Sequence, residues 1–334
     1  MQIQFGAVSE IEPGPIWAAL FQRFWPAYRR WWAARGLIAR PTYLECRRAL
    51  WNHMPEILPL YDQLCELAGG GDNEARFLSF YCPPPYMAGC SQAVWHGPRP
   101  LLVRNYDYSP YAFDAMLLHT GWQGRQVIGT GDGMFGLLDG MNDSGLVLSL
   151  TFGGRREIAD GFGIPLILRY ILQTCSTLDE AAAVLRRVPC HMSYNVTALD
   201  AQGSFFTAYL APDRATVIAD GVAVATNHQA GGAHSAHARI TASVEREQCL
   251  LNLRRNRPAS PVQFIGNFLR PPLHSTAFST GFATLYTAAY LPESGEVQLW
   301  WPQLTWNHSF TNFDPGRRDI TYQRTSSVAF VLGQ

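Results

Sequence analysis

The chain lacks lysine altogether, because all 26 of the basic residues in its 334-residue sequence are arginine. This absence excludes every mechanism that needs a Schiff-base lysine, a pyridoxal-phosphate anchor, a Ser-Lys dyad or a P-loop lysine. The nucleophile of a covalent mechanism must therefore be a cysteine, a serine, a threonine or a carboxylate.

Excess charge and long hydrophobic runs are also missing. The arginines are balanced by 26 acidic residues, so no basic surface indicates binding to nucleic acid or to an anionic membrane. Nowhere do about 18 apolar residues follow one another, and the first residues show no basic stretch of the kind that opens a signal peptide. We therefore expect a cytoplasmic protein without nucleic-acid or membrane partners.

Paired cysteine motifs are absent as well. The seven cysteines, an odd number, are scattered without any C-x-x-C spacing, and no secretion signal accompanies them. Free thiols are the expected state, in place of a disulfide framework or a zinc ribbon.

The first 89 residues read as a separate helical segment, which we call the leader. Apolar periodicity predicts helices at Ile16–Ala34, Thr42–Met54 and about Leu58–Ala68, and the proline run at 83–85 ends the segment. Half of the ten tryptophans lie before residue 52. So apolar a segment needs a surface to cover, and we expect the leader to pack on the rest of the chain.

Residues 90–334 read as a second unit built mainly of short strands. Strands with turn residues between them are followed by a helix pair, more strands, another helix pair and last strands at Gly281–Tyr290 and Val297–Trp301. This order predicts an α+β fold with a four-layer αββα arrangement, in which helices flank two packed antiparallel sheets.

Cys90 lies where the leader ends and the strands begin, and Gly89 before it offers an unhindered carbonyl. A thiol that follows a peptide carbonyl can attack it and shift the acyl group from nitrogen to sulfur, after which water releases the leader. The new α-amino group of Cys90 has an ordinary pKa of roughly 7.7 to 8.0, which suits a general base. The competing interpretation is that Cys90 is a small buried apolar side chain, as most free cysteines are.

Four short motifs in order carry a family resemblance: Gly89-Cys90-Ser91, Arg104-Asn105-Tyr106-Asp107, the stretch 140–146 and Ala225-Thr226-Asn227-His228. The set resembles the cysteine-type N-terminal-nucleophile (Ntn) amide hydrolases. Within them it is most similar to the isopenicillin N acyltransferase group, which also has a helical pro-segment of this size. Bile salt hydrolases and penicillin V acylases are more distantly similar.

The resemblance implies an Ntn αββα fold, self-cleavage between Gly89 and Cys90, and attack by the Cys90 thiolate on a linear amide or an acyl thioester. It also assigns roles by position. Arg104 would hold the thiolate charge, Asp107 would bind the new α-ammonium, Asn227 would donate to the oxyanion, and Arg239 would buttress the site. Thr151 stands where bile salt hydrolases have an asparagine, and we expect it to position the substrate.

The spacing of Arg104 and Asp107 raises a structural question. Residues three apart on a strand face opposite sides, so both side chains can face Cys90 only if the strand bends near Tyr106.

The aromatic side chains near the motifs, Trp95, Tyr106, Tyr108 and Phe135, fit an apolar acyl pocket, although a packed core explains them equally well. We expect no cofactor, a small acyl amide or thioester as substrate, and a cleaved leader that stays associated as a heterodimer.

Other interpretations remain open. The chain could be an uncleaved, non-catalytic Ntn-like binding protein, or a Cys-His or metal-dependent hydrolase that uses His228, His234 and His237. The stretch 131–136 fits G-x-G-x-x-G, but strand continues after it where a dinucleotide-binding motif needs a helix. The stretch 142–145 predicts a hairpin turn.

Overall fold

The structure, a computed structural model, describes residues 1–230, 235–256 and 258–322, with the backbone alone of Thr280. Two β sheets pack face to face, and helices cover the outer side of each sheet. The predicted four-layer αββα arrangement is confirmed.

The larger sheet has nine strands in the order β10-β9-β8-β7-β6-β5-β4-β1-β15. Its neighbours run antiparallel except β1 and β4, which are parallel. The strands are β1 (Gln2–Ser9), β4 (Met116–Thr120), β5 (Val127–Asp132), β6 (Gly136–Asn142), β7 (Val147–Phe152), β8 (Tyr194–Leu199), β9 (Phe205–Ala211), β10 (Arg214–Asp220) and β15 (Gly316–Thr321).

The smaller sheet has six antiparallel strands in the order β11-β2-β3-β12-β13-β14. These strands are β2 (Gly89–Trp95), β3 (Leu101–Tyr108), β11 (Val224–Ala225), β12 (Ala283–Leu291), β13 (Glu296–Trp301) and β14 (Leu304–Ser309). The predicted hairpin after Cys90 is the pair β2 and β3.

The α-helices of the described chain fall into two groups. The leader holds α1 (Pro15–Trp32), α2 (Tyr43–His53), α3 (Leu58–Leu67) and α4 (Asp72–Leu78). The remainder holds α5 (Ile164–Thr174), α6 (Leu178–Arg187), α7 (Ala236–Ile240), α8 (Ser243–Arg255) and α9 (Pro261–Phe268). The leader helices, α5 and α6 share one core with the nine-stranded sheet, whereas α8 and α9 pack on the six-stranded sheet.

Helix α1 shows how the leader attaches. Trp17, Phe21 and Trp25 recur every four residues, so they share one helix face, and their rings stack with centroids 5.2 and 5.5 Å apart. The indole N–H of Trp17 donates to the carbonyl of Met134 at 2.7 Å. The tryptophan-rich leader therefore packs on the rest of the chain, as predicted.

The first residues differ from the prediction. They lie within the segment expected to be helical, yet they form β1, which is inserted between β4 and β15. Phe5 is fully buried between the two sheets. The apolar alternation of β1 is too short to predict a strand, and β14 and β15 lie beyond the last predicted strand.

The predicted hairpin turn is confirmed. Residues 142–145 connect β6 and β7, where Gly145 has a φ of +78° and the Asn142 side chain accepts from the N–H groups of Ser144 and Leu146. The glycine-rich stretch 131–136 joins two antiparallel strands, β5 and β6, which is not the context of a dinucleotide-binding motif.

All seven cysteines are free in the structure. None of the helices in the described ranges combines the length and the apolar character that a membrane span requires.

Candidate active site

The Gly89–Cys90 peptide lies at the start of β2, inside the six-stranded sheet. Gly89 is paired with Asp107 of β3, and Cys90 with Tyr106. A Cβ atom added at Gly89 would lie 3.1 Å from Thr241 and 3.3 Å from Phe282, tighter than ordinary contact. The peptide before Cys90 is thus enclosed, and glycine fits where a larger residue would push on its neighbours.

Cys90 itself is completely buried and is held at two atoms. Its Sγ accepts a hydrogen bond from Nη2 of Arg104 at 3.3 Å. Its backbone N–H donates to Oδ1 of Asn227 at 2.7 Å. Two residues singled out from the sequence therefore contact the proposed nucleophile directly.

Arg104 connects the two sheets. It pairs with the carboxylate of Asp139 on β6 of the opposite sheet, and both side chains are fully buried. The Tyr286 hydroxyl donates to the same carboxylate at 2.8 Å, and Thr130 and Tyr290 contact it as well. The guanidinium also lies 4.8 Å from the ring centre of Tyr106. A dense buried network therefore fixes the cation beside the thiol.

Opposing effects act on the thiol. Burial raises the pKa of Cys90, the Arg104 guanidinium lowers it, and the Asp107 carboxylate raises it. Because burial is the largest of these, the net shift of the pKa is upward. In this uncleaved chain the thiol therefore holds its proton at neutral pH.

The contacts of Asp107 show that its side chain and that of Arg104 lie on opposite faces of β3. Its carboxylate accepts from Thr284 at 2.7 Å and pairs with Arg246 of α8, on the helix side of the sheet. Arg104 faces the opposite sheet instead, and β3 pairs with β2 without interruption through Tyr106. The bend near Tyr106 that would bring both side chains to Cys90 is thus not present, and the register shift lies in β12, between Thr284 and Tyr286.

Burial raises the pKa of Asp107, whereas the Arg246 guanidinium and the Thr284 hydroxyl lower it. Asp107 is the direct ladder partner of Gly89, and its β-carbon lies 3.5 Å from a β-carbon built at Gly89, beside the proposed cleavage site.

Asn227 follows β11, the edge strand that pairs with β2. Thr151 helps to place it, because the Thr151 hydroxyl donates to the carbonyl of Thr226 at 2.8 Å and accepts from the Asn195 amide at 3.1 Å. Asn195 donates to the same Thr226 carbonyl at 2.8 Å. In the uncleaved chain Thr151 therefore contacts the backbone next to Asn227.

Two of the three candidate histidines are described, and they lie in different places. His237 is buried, and its Nε2 lies 3.2 Å from the carbonyl oxygen of Ala88, one residue before the proposed cleavage site. His228 instead contacts Ser243 at 2.8 Å and Glu247 at 3.4 Å. His234 lies outside the described residues. Within those residues no group of three metal-ligating side chains forms, and no histidine contacts the Cys90 thiol.

Three other predicted site residues lie elsewhere. Arg239 is exposed on α7, and the arginine that contacts Asp107 is the buried Arg246 of α8. Trp95 packs with the core on the helix side of the six-stranded sheet, away from the Cys90 side chain. Phe135 is buried in the core beneath the leader. Of the residues predicted to bind substrate, Tyr106 is the ladder partner of Cys90, and Thr151 contacts the backbone next to Asn227.

A cavity of about 390 Å³ lies between the leader and the start of the catalytic strands. Tyr106, the ladder partner of Cys90, forms part of its wall. The other walls include α1 and the linker before Cys90, represented by Tyr28 and Tyr86, and two acidic residues, Asp114 and Asp132.

Asp139 and Arg246 are two residues of this site that the sequence analysis did not name, and His237 has a different partner from the one predicted. Asp139 carried a readable signal, because a carboxylate within an apolar strand usually has a buried partner. Arg246 lies between two glutamates on a helix and looks like a solvated charge. His237 was considered as a metal ligand, whereas its observed partner is a backbone carbonyl.

The sequence matches the model of the acyl-coenzyme A:6-aminopenicillanic acid acyl-transferase family over residues 95–306, more than half of the chain. The match includes Arg104, Asp107 and Asn227 but begins just after Cys90. No curated protein is significantly similar in sequence.

Among solved structures, the chain is similar to penicillin V acylase from Agrobacterium tumefaciens, at 14% identity and a TM-score of 0.52, over 69% of this chain and 90% of that one. Conjugated bile acid hydrolase from Clostridium perfringens aligns at 14% identity over 73% and 100% of the two chains, with a TM-score of 0.46. The Caenorhabditis elegans orthologue of N-acylethanolamine-hydrolyzing acid amidase aligns at 13% identity over 70% and 100%, with a TM-score of 0.47.

The similarity to penicillin V acylase agrees with the two-sheet architecture. The chain belongs to the acyl-coenzyme A:6-aminopenicillanic acid acyltransferase family, and its fold is that of the Ntn hydrolases.

Proposed function

We propose that this protein is a self-cleaving cysteine hydrolase or acyltransferase that acts on linear amides or acyl thioesters through an acyl group on Cys90. One observation carries the proposal. The Gly89–Cys90 peptide is enclosed at a strand start, with Arg104 on the thiol and Asn227 on the N–H of that same peptide.

The first reaction is self-cleavage. The Cys90 sulfur attacks the Gly89 carbonyl carbon, a C–S bond replaces the C–N bond, and the nitrogen takes up a proton to become the α-amine of Cys90. Water then hydrolyses the thioester, leaving a carboxylate on Gly89 and a thiol on Cys90. The leader residue Gly89 supplies the first substrate carbonyl, and Arg104 stabilises the sulfur as it loses its proton.

The second reaction repeats this chemistry on a small molecule. The α-amine of Cys90 accepts the thiol proton, the sulfur attacks the substrate carbonyl, and the amine returns the proton to the leaving group. Asn227 donates to the oxyanion through its side-chain amide, and Asp107 balances the α-ammonium. Water releases the acyl group in a hydrolase, and an amine acceptor releases it in an acyltransferase.

Self-cleavage is tested by the intact mass of the purified protein. We expect two pieces, of 89 and 334 − 89 = 245 residues. Cys90→Ala should remain whole, and the matched control Cys190→Ala, which removes another buried thiol, should cleave normally. An active enzyme that keeps its full-length mass would contradict the free-amine mechanism.

The acyl-enzyme is tested with a panel of acyl amides and acyl thioesters on the processed protein. Mass spectrometry after a rapid acid quench should find the acyl group on the peptide that begins with Cys90. Adding an amine acceptor separates the two activities, because only an acyltransferase converts the acyl-enzyme mainly into a new amide.

The alternative metal-dependent hydrolase predicts a different pattern. Its activity would be lost to chelators and would survive alkylation of thiols. Iodoacetamide labelling of Cys90 with matching loss of activity in the processed protein would exclude it.

A further inference from the structure

The cavity between the leader and the catalytic strands has an almost continuous aromatic wall. On the leader side the ring of Tyr28 lies 5.1 Å from Phe77 and 6.4 Å from Trp31, and Trp31 lies 6.3 Å from Tyr86. On the catalytic side Tyr106 lies 5.8 Å from Tyr108 and 6.4 Å from Phe113. Rings from both parts of the chain therefore line one cavity.

The charged residues described in this wall are all acidic. Of the described residues that line the cavity, Asp114 and Asp132 are acidic and none is basic. Asp114 is already satisfied, since it accepts from the Tyr28 hydroxyl and from the N–H of Met134. The nearby cation Arg104 is paired with Asp139 between the sheets. Neither carboxyl group of the cavity forms an ion pair with a basic side chain of the described residues, and Asp114 differs from Asp132 in being held by these two neutral donors.

We propose that this cavity binds an organic cation, a protonated amine or a quaternary ammonium group, which lies against the aromatic rings and beside Asp132. Aromatic faces attract cations through their quadrupole, and a carboxylate adds a full opposite charge. An anion would meet two acidic groups without a basic one. A neutral apolar ligand would satisfy the rings but would leave Asp132 without a counter-charge.

The titration of Asp132 makes the proposal sensitive to pH. Burial and the charge of Asp114 raise the pKa of Asp132 to about 8, against smaller effects of Arg104 and Tyr86 that lower it. The other titratable groups that face it come from α1, β3 and β8, namely Tyr28, Tyr106, Tyr108 and Tyr194. The pKa of each of these tyrosines is raised by burial, so they remain neutral near pH 8.

The sign of the pH effect follows from this pKa. A cation binds best to the ionised Asp132, so below pH 8 its binding must release a proton. Mass action then makes the affinity rise about tenfold per pH unit up to about pH 8 and level off above it.

The position of the cavity relates it to catalysis. Tyr106 of its wall is the ladder partner of Cys90, and Tyr86 and Pro83 of its wall belong to the segment that ends at the proposed cleavage site. The inference that the substrate carries this cation on its acyl part rests on the proposed function. The inference that the cavity binds a cation does not depend on that function.

The binding test uses the full-length Cys90→Ala protein, which cannot turn over a ligand. Choline and its neutral isostere 3,3-dimethylbutan-1-ol are titrated by calorimetry, with the fluorescence of Trp31 and Trp32 in the cavity wall as a second readout. We expect choline to bind at least about tenfold more tightly than the isostere at pH 8 and to lose most of that advantage at pH 6.

Variants make the assignment specific. Adding Asp132→Asn should abolish both the preference for choline and its pH dependence, and adding Asp319→Asn, an exposed control, should change neither. If Asp132→Asn does not fold, Trp31→Ala removes one ring and should weaken choline several-fold while leaving its pH dependence. Equal affinity for the two probes, or binding of neither, would overturn the proposal.

A separate experiment tests whether the cavity takes part in the catalytic reaction. Processed wild-type enzyme is given acyl amides whose acyl chains end either in a trimethylammonium group or in tert-butyl. A cationic preference in kcat/KM that is lost in Asp132→Asn assigns the cavity to the acyl group. Turnover without such a preference would remove that assignment, whereas no turnover with intact choline binding would count against the proposed function alone.

Discussion

The side-chain oxygen of Asn227 accepts a hydrogen bond from the backbone N–H of Cys90 at 2.7 Å. That N–H belongs to the peptide bond that self-cleavage would break. The side-chain N–H₂ group of Asn227 points instead toward the carbonyl of Phe152, at 3.5 Å. The same amide thus has an acceptor at the precursor peptide and a donor that is only weakly engaged before cleavage.

This geometry predicts that two substitutions of Asn227 behave differently. Asn227→Ala removes both groups, so we expect slower self-cleavage and a loss of about 10²- to 10³-fold in kcat of the processed enzyme. Asn227→Asp keeps an acceptor for the Cys90 N–H but offers no donor to an oxyanion. It should cleave itself nearly normally and still lose kcat, as measured on one acyl amide. Normal kcat in Asn227→Asp would remove Asn227 from the oxyanion site.

The buried pair of Arg104 and Asp139 predicts a large effect on stability. Asp139→Asn leaves the Arg104 cation without its charge partner in a fully buried place, which typically costs about 3–5 kcal/mol of unfolding free energy. Urea denaturation of the Cys90→Ala background measures this without interference from cleavage. Asp213→Asn, which breaks the exposed pair with Arg155, is the control and should leave the urea midpoint almost unchanged.

Much of the fold could be predicted because its signals are local. Helix α2 begins after Thr42, whose side chain and Glu45 form a reciprocal cap, and a threonine followed three residues later by glutamate is visible in the sequence. The β2–β3 hairpin likewise follows from two apolar runs around a proline-rich turn. By contrast, β1 pairs with β4 and β15, more than 100 and 300 residues away, and no local pattern indicates those partners.

The site divides in the same way. Cys90, Arg104 and Asn227 belong to short motifs, and the structure brings these three together. Asp139 contacts Arg104 because the two sheets pack on each other. Arg246 contacts Asp107 because α8 packs on the six-stranded sheet. Arg239 and Arg246 are seven residues apart, and only the angle of α7 and α8 decides which is buried. Such tertiary angles cannot be read from the sequence.

His237 should affect maturation and leave catalysis unchanged. Burial lowers the pKa of His237, so the neutral ring donates through Nε2 to the carbonyl of Ala88, which lies in the leader. Loss of one hydrogen bond is worth about 0.5–1.5 kcal/mol, so His237→Ala should slow self-cleavage by roughly 2- to 10-fold. Gel analysis of a time course gives the rate. His237→Gln, which retains a donor, is the matched control.

Once cleavage is complete, the processed His237→Ala enzyme should show the kcat/KM of the wild type, because its partner carbonyl belongs to the cleaved leader and takes no part in the second reaction. A fall in kcat/KM equal to the fall in cleavage rate would instead place His237 in the catalytic reaction.

Asp132 predicts how stability changes with pH. Its pKa is about 8 in the folded chain and about 3.9 in an unfolded one, so the folded state binds its proton more tightly. The stability from this proton is complete below about pH 4 and is lost as the pH rises toward 8. Asp132→Asn does not titrate. Its unfolding free energy relative to wild type should therefore increase between pH 5 and 8 in urea titrations, and a constant difference would contradict the raised pKa.

The leader provides the last prediction, because it is joined to the catalytic part by more than the Gly89–Cys90 bond. Strand β1 lies between β4 and β15, so both of its edges are hydrogen-bonded to strands that follow the cleavage site. Trp17, Phe21 and Trp25 are buried against the same sheet. Releasing the leader would expose these rings and leave the edges of two strands unpaired.

We therefore expect the cleaved leader to remain bound. Size-exclusion chromatography with light scattering should give the processed protein the same mass per particle as Cys90→Ala, while a denaturing gel shows two pieces. Replacing Phe5, which β1 buries between the sheets, with aspartate should weaken this association, because a charge in an apolar core is costly. Replacing the exposed Gln2 in the same strand is the control. A catalytic piece that elutes alone and stays active would show that the cavity walls of the leader are dispensable.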